Sequence, residues 1–492
     1  MNNIKKDTIL LSFANFIQVF IALILSIGLA RIFIDKGEFG KYQQIFVCIN
    51  FIFSLGNGIN ISLNYFYGKY LKYSNRIVLI KKIFGTIILF AILGTIVFAI
   101  INRYLANNFQ NNYIVDYSIP IVIILFFRIL NSFFINFNLI TKRLFYHTKI
   151  QIIHLFLILI LLFFAYKYSF TTKEVLLFLG AIEFIKFLFF SRYLYFYLTV
   201  PSRKYIANVI EFKYILPITA VGLINVLNVY VDKIMVSSIL TPVNYADYQV
   251  GAFVIPFMGI ITSSVITVLI PHFAKLHALN KIKELITIFR EAIKKMSTLL
   301  VPILIYCIVF GQELITFLYS DNYELSGRIF QIYTINYLLS VVTFAAILGA
   351  TGLQNWIVIN SLFNLITNLI LNYFFIKQFG TIGAVYATLL STYLGYIFPI
   401  YLMWKNLNSN FFSYFPIFHY LKIVIASIIF SLLFYSIYYS FDFAKVYSIV
   451  FSFAYYLIVL FIVNRLFGLN LLGKKFNIIN VKQIKSLWNR NL

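Results

Sequence analysis

Charge is what this sequence has least of. Only 11% of its 492 residues are Asp, Glu, Lys or Arg, against about 25% in a soluble globular chain. Acids are the scarcer sign, 15 against 40 Lys and Arg. Cysteine is nearly absent too, and Cys48 and Cys307 both lie inside apolar runs. That excludes a disulfide framework and any cysteine-based metal spacing. No Gly-x-x-x-x-Gly-Lys-Ser/Thr occurs, so the chain does not itself hydrolyse ATP. No long polar segment exists in which a soluble catalytic domain could reside. What is abundant is apolar: 62% hydrophobic residues, 20% aromatic, and a mean hydropathy of +0.90. A soluble domain of that composition would expose large apolar patches and aggregate, so the class is a polytopic, all-α membrane protein. The net charge of +25 then reads as Lys and Arg gathered in cytoplasmic loops beside anionic lipid, not as a nucleic-acid footprint.

About 20 apolar residues cross a bilayer, and on that measure the chain holds about fourteen spans, near 9–30, 42–67, 83–101, 117–140, 150–166, 174–198, 214–240, 246–271, 297–318, 327–350, 355–376, 381–403, 417–439 and 444–465. The first follows a basic start and lacks a cleavage site, which makes it a membrane helix and not a signal peptide. With both termini in the cytoplasm, Lys and Arg favour the cytoplasmic segments by about three to one. Outer loops are all short. Two basic segments, Lys275–Met296 and the tail Lys474–Leu492, carry apolar residues at helical spacing and are expected to lie along the membrane surface.

The stretch Tyr214–Leu240 opens a second copy of the first half. A shift of 206 places Arg31–Tyr70 on Ser237–Leu276 with identities at Tyr42/Tyr248, Gln43/Gln249, Ile49/Ile255, Phe51/Phe257, Leu63/Leu269 and Lys69/Lys275. Further along, a shift of 210 places Asn112-Tyr113 on Asn322-Tyr323. The implied organisation is a six-helix lobe at 1–205, a second at 206–410, and two further helices with a basic tail at 411–492. Repeats offset by an even number of spans share orientation, which gives a pseudo-two-fold along the membrane normal and a cavity between the halves.

Four features carry a family resemblance: VDKIMVSSILTPVNYADYQVGAF (231–253); IPHFAKL (270–276); the Gly380, Gly383, Ala384, Ala387 and Thr388 pattern that closes GATGLQNWIVINSLFNLITNLILNYFFIKQFGTIGAVYATLLS (349–391); and the fourteen-span layout. On these the chain resembles the O-antigen and capsule polysaccharide flippases of the multidrug/oligosaccharidyl-lipid/polysaccharide superfamily. The resemblance implies a non-enzymatic transporter of the bacterial cytoplasmic (inner) membrane. Such a protein turns an undecaprenyl-diphosphate-linked oligosaccharide to the outer leaflet by alternating access, for O-antigen, capsule or lipopolysaccharide. It uses no bound cofactor or metal, draws on a proton or sodium gradient, and has membrane lipids and other polysaccharide-assembly proteins as its neighbours.

Carrying a diphosphate requires basic groups at membrane depth, and a charge there is costly unless it has a partner or a task. Arg128, Lys186, Lys233 and Arg31 are the candidates for the diphosphate; Asp232 and Glu183 are the candidates for ion coupling. Each has a plainer alternative. Arg128, central in its span, could serve a structural pair or backbone carbonyls. Lys186 has Glu183 three residues before it, the spacing of a self-satisfied pair. Asp232 and Lys233 are adjacent and so point about 100° apart on a helix; the lysine can snorkel outward, and the acid needs a base from another helix or a coupling cation. Arg31 could be an outer anchor, and His154 a core histidine. A drug exporter of the same superfamily is the rival transporter. A membrane glycosyltransferase or polymerase using Asp35 and Glu38 is the rival enzyme, although such enzymes usually need a large outer loop.

Overall fold

A chain in hydrocarbon must satisfy its backbone groups internally, which leaves helices or closed barrels. The computed structural model is helical and describes residues 2–70, 72–200, 212–253, 255–440, 454 and 458; no strand occurs among the described residues. Helices follow in order as α1 (Asn2–Ile32), α2 (Lys36–Leu55), α3 (Asn57–Lys69), α4 (Tyr73–Asn108), α5 (Tyr113–Asp116), α6 (Ser118–Ile140), α7 (Leu144–Tyr168), α8 (Thr172–Thr199) and α9 (Phe212–Ile239). They continue as α10 (Pro242–Gly251), α11 (Pro256–Ala278), α12 (Ile282–Val309), α13 (Gly311–Tyr319), α14 (Glu324–Ile335), α15 (Phe344–Ala350), α16 (Gln354–Leu407), α17 (Phe411–Tyr414) and α18 (Ile417–Ser440). Ten segments among the described residues are long and apolar enough to cross a membrane. The chain is a multi-pass membrane protein. The expected span 444–465 and the tail Lys474–Leu492 lie outside the described residues, apart from Ala454 and Ile458.

Packing divides the chain into two compact units, Met1–Asp247 and Tyr248–Leu492. In the first, α6 packs on α4 and α8, α1 on α7, and α9 on α2 and α3. The helix expected to open a second copy, α9, therefore packs with the first unit. The core of this unit is built from phenylalanine on α4, α6 and α8. Phe84 lies 5.1 Å from Phe133, Phe133 5.4 Å from Phe137, and Phe134 5.1 Å from Phe190. Polar pairs join α3 to α6: Asn60 Nδ2 donates to Ser132 Oγ at 2.7 Å and Asn64 Nδ2 to Asn136 Oδ1 at 2.8 Å. Small polar contacts of this kind hold helices together where water offers no alternative partner.

The expected span 42–67 is not one straight helix. It breaks at Gly56, between α2 and α3. A glycine is needed at the break, because a Cβ there would stand 2.7 Å from the Phe90 ring. Ahead of α2, Asp35 accepts from Gly37 N at 2.9 Å and caps the helix, while Glu38 accepts from Thr172 Oγ1 at 2.8 Å and ties α2 to α8. Asp35 and Glu38 are thus engaged in structural contacts.

In the second unit α12 packs on α18 and α14, α11 on α15, and α16 on α14 and α15. Phe289 sits at the centre, 6.0 Å from Phe273, 6.3 Å from Phe344 and 5.7 Å from Tyr414. This corrects the surface-helix expectation for Lys275–Met296. Leu276, Ile286, Phe289 and Ile293 are buried in the unit, and α12 runs on as one helix from Ile282 into the ninth span. A helical apolar stripe marks a covered face without saying whether lipid or protein covers it.

α16 comprises two antiparallel limbs that meet at Gly380, whose φ of 59° lies in the left-handed region. A Cβ on Gly383 would stand 2.0 Å from Phe375 O, so the returning limb starts against the end of the first. Asn368 Nδ2 then reaches Ser391 Oγ across the limbs at 3.2 Å. Helix ends also recur between the two sequence copies: α2 starts at Lys36 and α10 at Pro242, an offset of 206; α7 starts at Leu144 and α16 at Gln354, an offset of 210.

Candidate functional site

Within the first unit, α6 carries Arg128 halfway along a run of Ile, Leu and Phe. Its neighbours Ile129 and Leu130 are buried in the core, which turns the arginine toward α2. The guanidinium carbon lies 5.5 Å from the Phe53 ring centroid and 5.8 Å from that of Phe46. Phe46 and Phe53 are seven residues apart, on one face of α2, and bracket the cation by the attraction of ring faces for positive charge. Tyr42 of α2 and Tyr230 of α9 lie within electrostatic reach of it. Arg128 is half-buried, and among the described residues no carboxylate oxygen lies within 4.0 Å of it. An arginine cannot shed its proton, so a fixed positive charge with open N–H donors sits midway along a membrane helix.

The offset of 72 shared by Asn60–Ser132 and Asn64–Asn136 brings Gly56 level with Arg128. The break between α2 and α3 therefore falls at the depth of the charge. Interrupted membrane helices of this kind supply polar backbone where a site needs it.

Glu183 and Lys186 behave as their spacing suggests. Lys186 Nζ lies 3.2 Å from Glu183 Oε2, and Asn131 Nδ2 donates to the same oxygen at 2.7 Å. Glu183 is within electrostatic reach of Arg128 and of His154 on α7, but its oxygens are engaged by Lys186 and Asn131. Buried His154 has an Nδ1 atom without a hydrogen-bond partner among the described residues. On α9, Lys233 places Nζ 5.5 Å from the Tyr230 ring centroid, and Tyr230 meets Phe51 of α2 edge-on at 6.3 Å. Asp232 is buried, and its Oδ1 accepts from Lys233 N at 2.8 Å instead of meeting the ammonium. Arg31 is exposed at the end of α1.

Arg128 and Lys233 are thus gathered around Tyr230 on the α2, α6 and α9 side, while Lys186 and Glu183 form a closed pair on α8. The aromatic bracket was not singled out from the sequence, although the seven-residue spacing of Phe46 and Phe53 carries it. Asn131 had no sequence signal, since its partner is 52 residues away.

Residues 28–327 match the model of a family described as polysaccharide biosynthesis protein. No curated protein is a significant match. Among solved structures, the chain is similar to the lipid II flippase MurJ in an inward closed conformation, with a TM-score of 0.72 and 18% identity over 94% of this chain and 100% of that one. It is also similar to a multidrug resistance MATE family transporter of the MOP superfamily in an inward-facing conformation, with a TM-score of 0.63 and 13% identity over 78% and 94%. A MOP superfamily transporter from Pyrococcus furiosus gives 0.55 and 13% over 83% and 96%. At these identities the likeness is one of fold.

Proposed function

The chain belongs to the polysaccharide biosynthesis protein family, and from that premise we propose that it flips an undecaprenyl-diphosphate-linked oligosaccharide from the cytoplasmic to the outer leaflet by alternating access. The glycan then enters O-antigen, capsule or other surface polysaccharide. The observation that carries this reading is Arg128: a permanent cation at membrane depth, held between Phe46 and Phe53, with no carboxylate within 4.0 Å among the described residues. A guanidinium fork is matched to phosphate oxygens, and a diphosphate crossing hydrocarbon needs such a partner. Lys233, half-buried on α9, adds a second positive charge on the Tyr230 side.

The flippase reading rests on a fourteen-span chain with both termini cytoplasmic, in the bacterial inner membrane, built from copies at 1–205 and 206–410 with 411–492 appended. It involves no covalent chemistry. The outer acids Asp35 and Glu38 are engaged in a helix cap and a helix–helix contact, which disfavours the glycosyltransferase alternative. A cation-coupled drug exporter would share the fold; Arg128, with no carboxylate within 4.0 Å among the described residues, suits an anionic cargo better than a cationic drug. Asp232, buried on α9, and Glu183, held by Lys186 and Asn131, are the coupling candidates.

In a bacterium whose surface glycan depends on this protein, Arg128→Ala should abolish outer-leaflet display of the lipid-linked glycan while membrane levels of the protein stay normal. Undiminished display would remove Arg128 from the substrate path. Asp232→Asn should transport without dependence on the ion gradient, and full retention of that dependence would exclude Asp232 from coupling.

A further inference from the structure

At the far end of α6 from its outer start, the turn Thr141–Arg143 leads into α7, with Lys142 in the left-handed region at φ 56°. Arg143 N donates to Asn138 O at 2.7 Å, which folds the arginine back onto the last turn of α6. Its guanidinium carbon then lies 4.1 Å from the ring centroid of Tyr193 and 5.9 Å from that of Tyr197, both on α8. Tyr146 of α7 stands edge-on to Tyr193 at 4.6 Å and extends the wall.

Two donors in this corner have no acceptor among the described residues. Arg143 Nη1 is buried and unpartnered, and so is Asn138 Nδ2, on a residue only 2% exposed. No carboxylate lies within 4.0 Å of Arg143 among the described residues. A buried donor left without an acceptor is costly, more so when charged, and each such group in a native fold calls for a partner. Both orphans here are donors and one is cationic, so the partner is an anion that offers several acceptor oxygens.

The surroundings agree in sign. The Tyr197 hydroxyl has Arg143, Tyr73 and Tyr67 as electrostatic neighbours. Arg76 stacks on Tyr67 at 4.4 Å while its Nε donates to Tyr70 O at 2.7 Å. Arg192 is an electrostatic neighbour of Tyr146. Arg143 is also the residue from which α7 starts, and the positive end of a helix favours an anion.

We propose that Arg143 and Asn138, walled by Tyr193 and Tyr197, form a phosphate-binding site at the end of the first unit that the charge distribution assigns to the cytoplasm. It is distinct from Arg128, since ten residues of α6 separate Arg128 from Asn138, about 15 Å of rise. It also stands whether or not Arg128 contacts substrate. The ligand is a lipid phosphate, supplied either by an anionic phospholipid headgroup or by the diphosphate of a lipid-linked substrate on its way in.

The test uses the full chain in neutral detergent micelles, titrated with short-chain phosphatidylglycerol and separately with inorganic pyrophosphate, with binding read by calorimetry. Arg143→Gln and Asn138→Leu should each weaken binding at least tenfold. Loss confined to phosphatidylglycerol assigns the site to phospholipid headgroups; loss with pyrophosphate as well assigns it to the diphosphate of substrate. Failure of the parent protein to bind either probe overturns the proposal, and so does parental binding in both variants. Should Arg143→Gln not fold, as judged by thermal melting, Asn138→Leu decides the question, because it removes the orphan donor while keeping the branched heavy-atom outline of the side chain.

Discussion

Lys36 Nζ lies 2.6 Å from Asp247 Oδ1, an ion pair between the first turn of α2 and the middle of α10 in which the aspartate side chain is only 4% exposed. Removing one member of a buried pair is destabilising, whereas replacing both by apolar groups is often neutral. Lys36→Met and Asp247→Leu should each lower the melting temperature of the purified protein in detergent, and the double variant should recover most of the loss. Equal melting of the single variants and the parent would show that the pair contributes nothing.

The Glu183–Lys186–Asn131 cluster makes a similar prediction with a functional readout. Lys186→Met leaves a half-buried carboxylate with Asn131 as its remaining side-chain partner and should lower the melting temperature in detergent. Lys186→Met combined with Glu183→Leu should restore stability and retain substantial glycan display, because the pair is structural. Loss of display in a stable double variant would return Lys186 or Glu183 to the transport site.

The hairpin in α16 depends on two glycines for different reasons. Gly380→Ala forces an L residue to φ 59°, ψ −135°, backbone that is essentially glycine's alone, at about 1–3 kcal/mol. Gly383→Ala puts a methyl where Phe375 O already stands, 2.0 Å away, and should cost more because backbone must move. Gly380→Asn should cost about as much as Gly380→Ala, since asparagine tolerates positive φ only in the αL region, far from the ψ of −135° found here. Melting curves of the three variants in detergent check the order, and a neutral Gly383→Ala would refute it.

Arg128 offers a graded test. Arg128→Lys keeps the charge and loses the planar fork and its stacking, so glycan display should fall to an intermediate level between the parent and Arg128→Ala. Phe53→Leu removes one of the two ring faces against the guanidinium, worth about 0.5–1 kcal/mol, and should weaken transport roughly two- to fivefold. Display in Arg128→Lys equal to the parent would mean that charge alone suffices.

Much of the fold was legible because lipid imposes local demands. Each span needs length and apolarity, and loops need charge, so a hydropathy trace finds α4, α6, α7 and both limbs of α16. The Gly380–Gly383 turn was legible as well, since two glycines in a short spacing between apolar runs have few other uses. The break at Gly56 was less so, because the glycines and asparagines around it dilute the span without marking which residue stops the helix. Lys275–Met296 misled for a related reason: its apolar stripe was real, but Phe273, Phe344 and Tyr414, which cover it, lie on other elements.

By itself the sequence determined a multi-pass helical membrane protein, the positions of many of its apolar helices and the short list of charges within them. The tertiary structure alone decided which of those charges are closed and which are open. Lys186 and Glu183 share a helix, so their pairing could be anticipated from spacing. The bracket of Phe46 and Phe53 around Arg128, the tie from Asn131 to Glu183 and the meeting of Lys36 with Asp247 depend on how each helix is rotated toward its neighbours. A helix apolar on every side carries no stripe from which that rotation can be read. In lipid, rotation is set by close packing and scattered polar contacts, which exist only once the helices have come together.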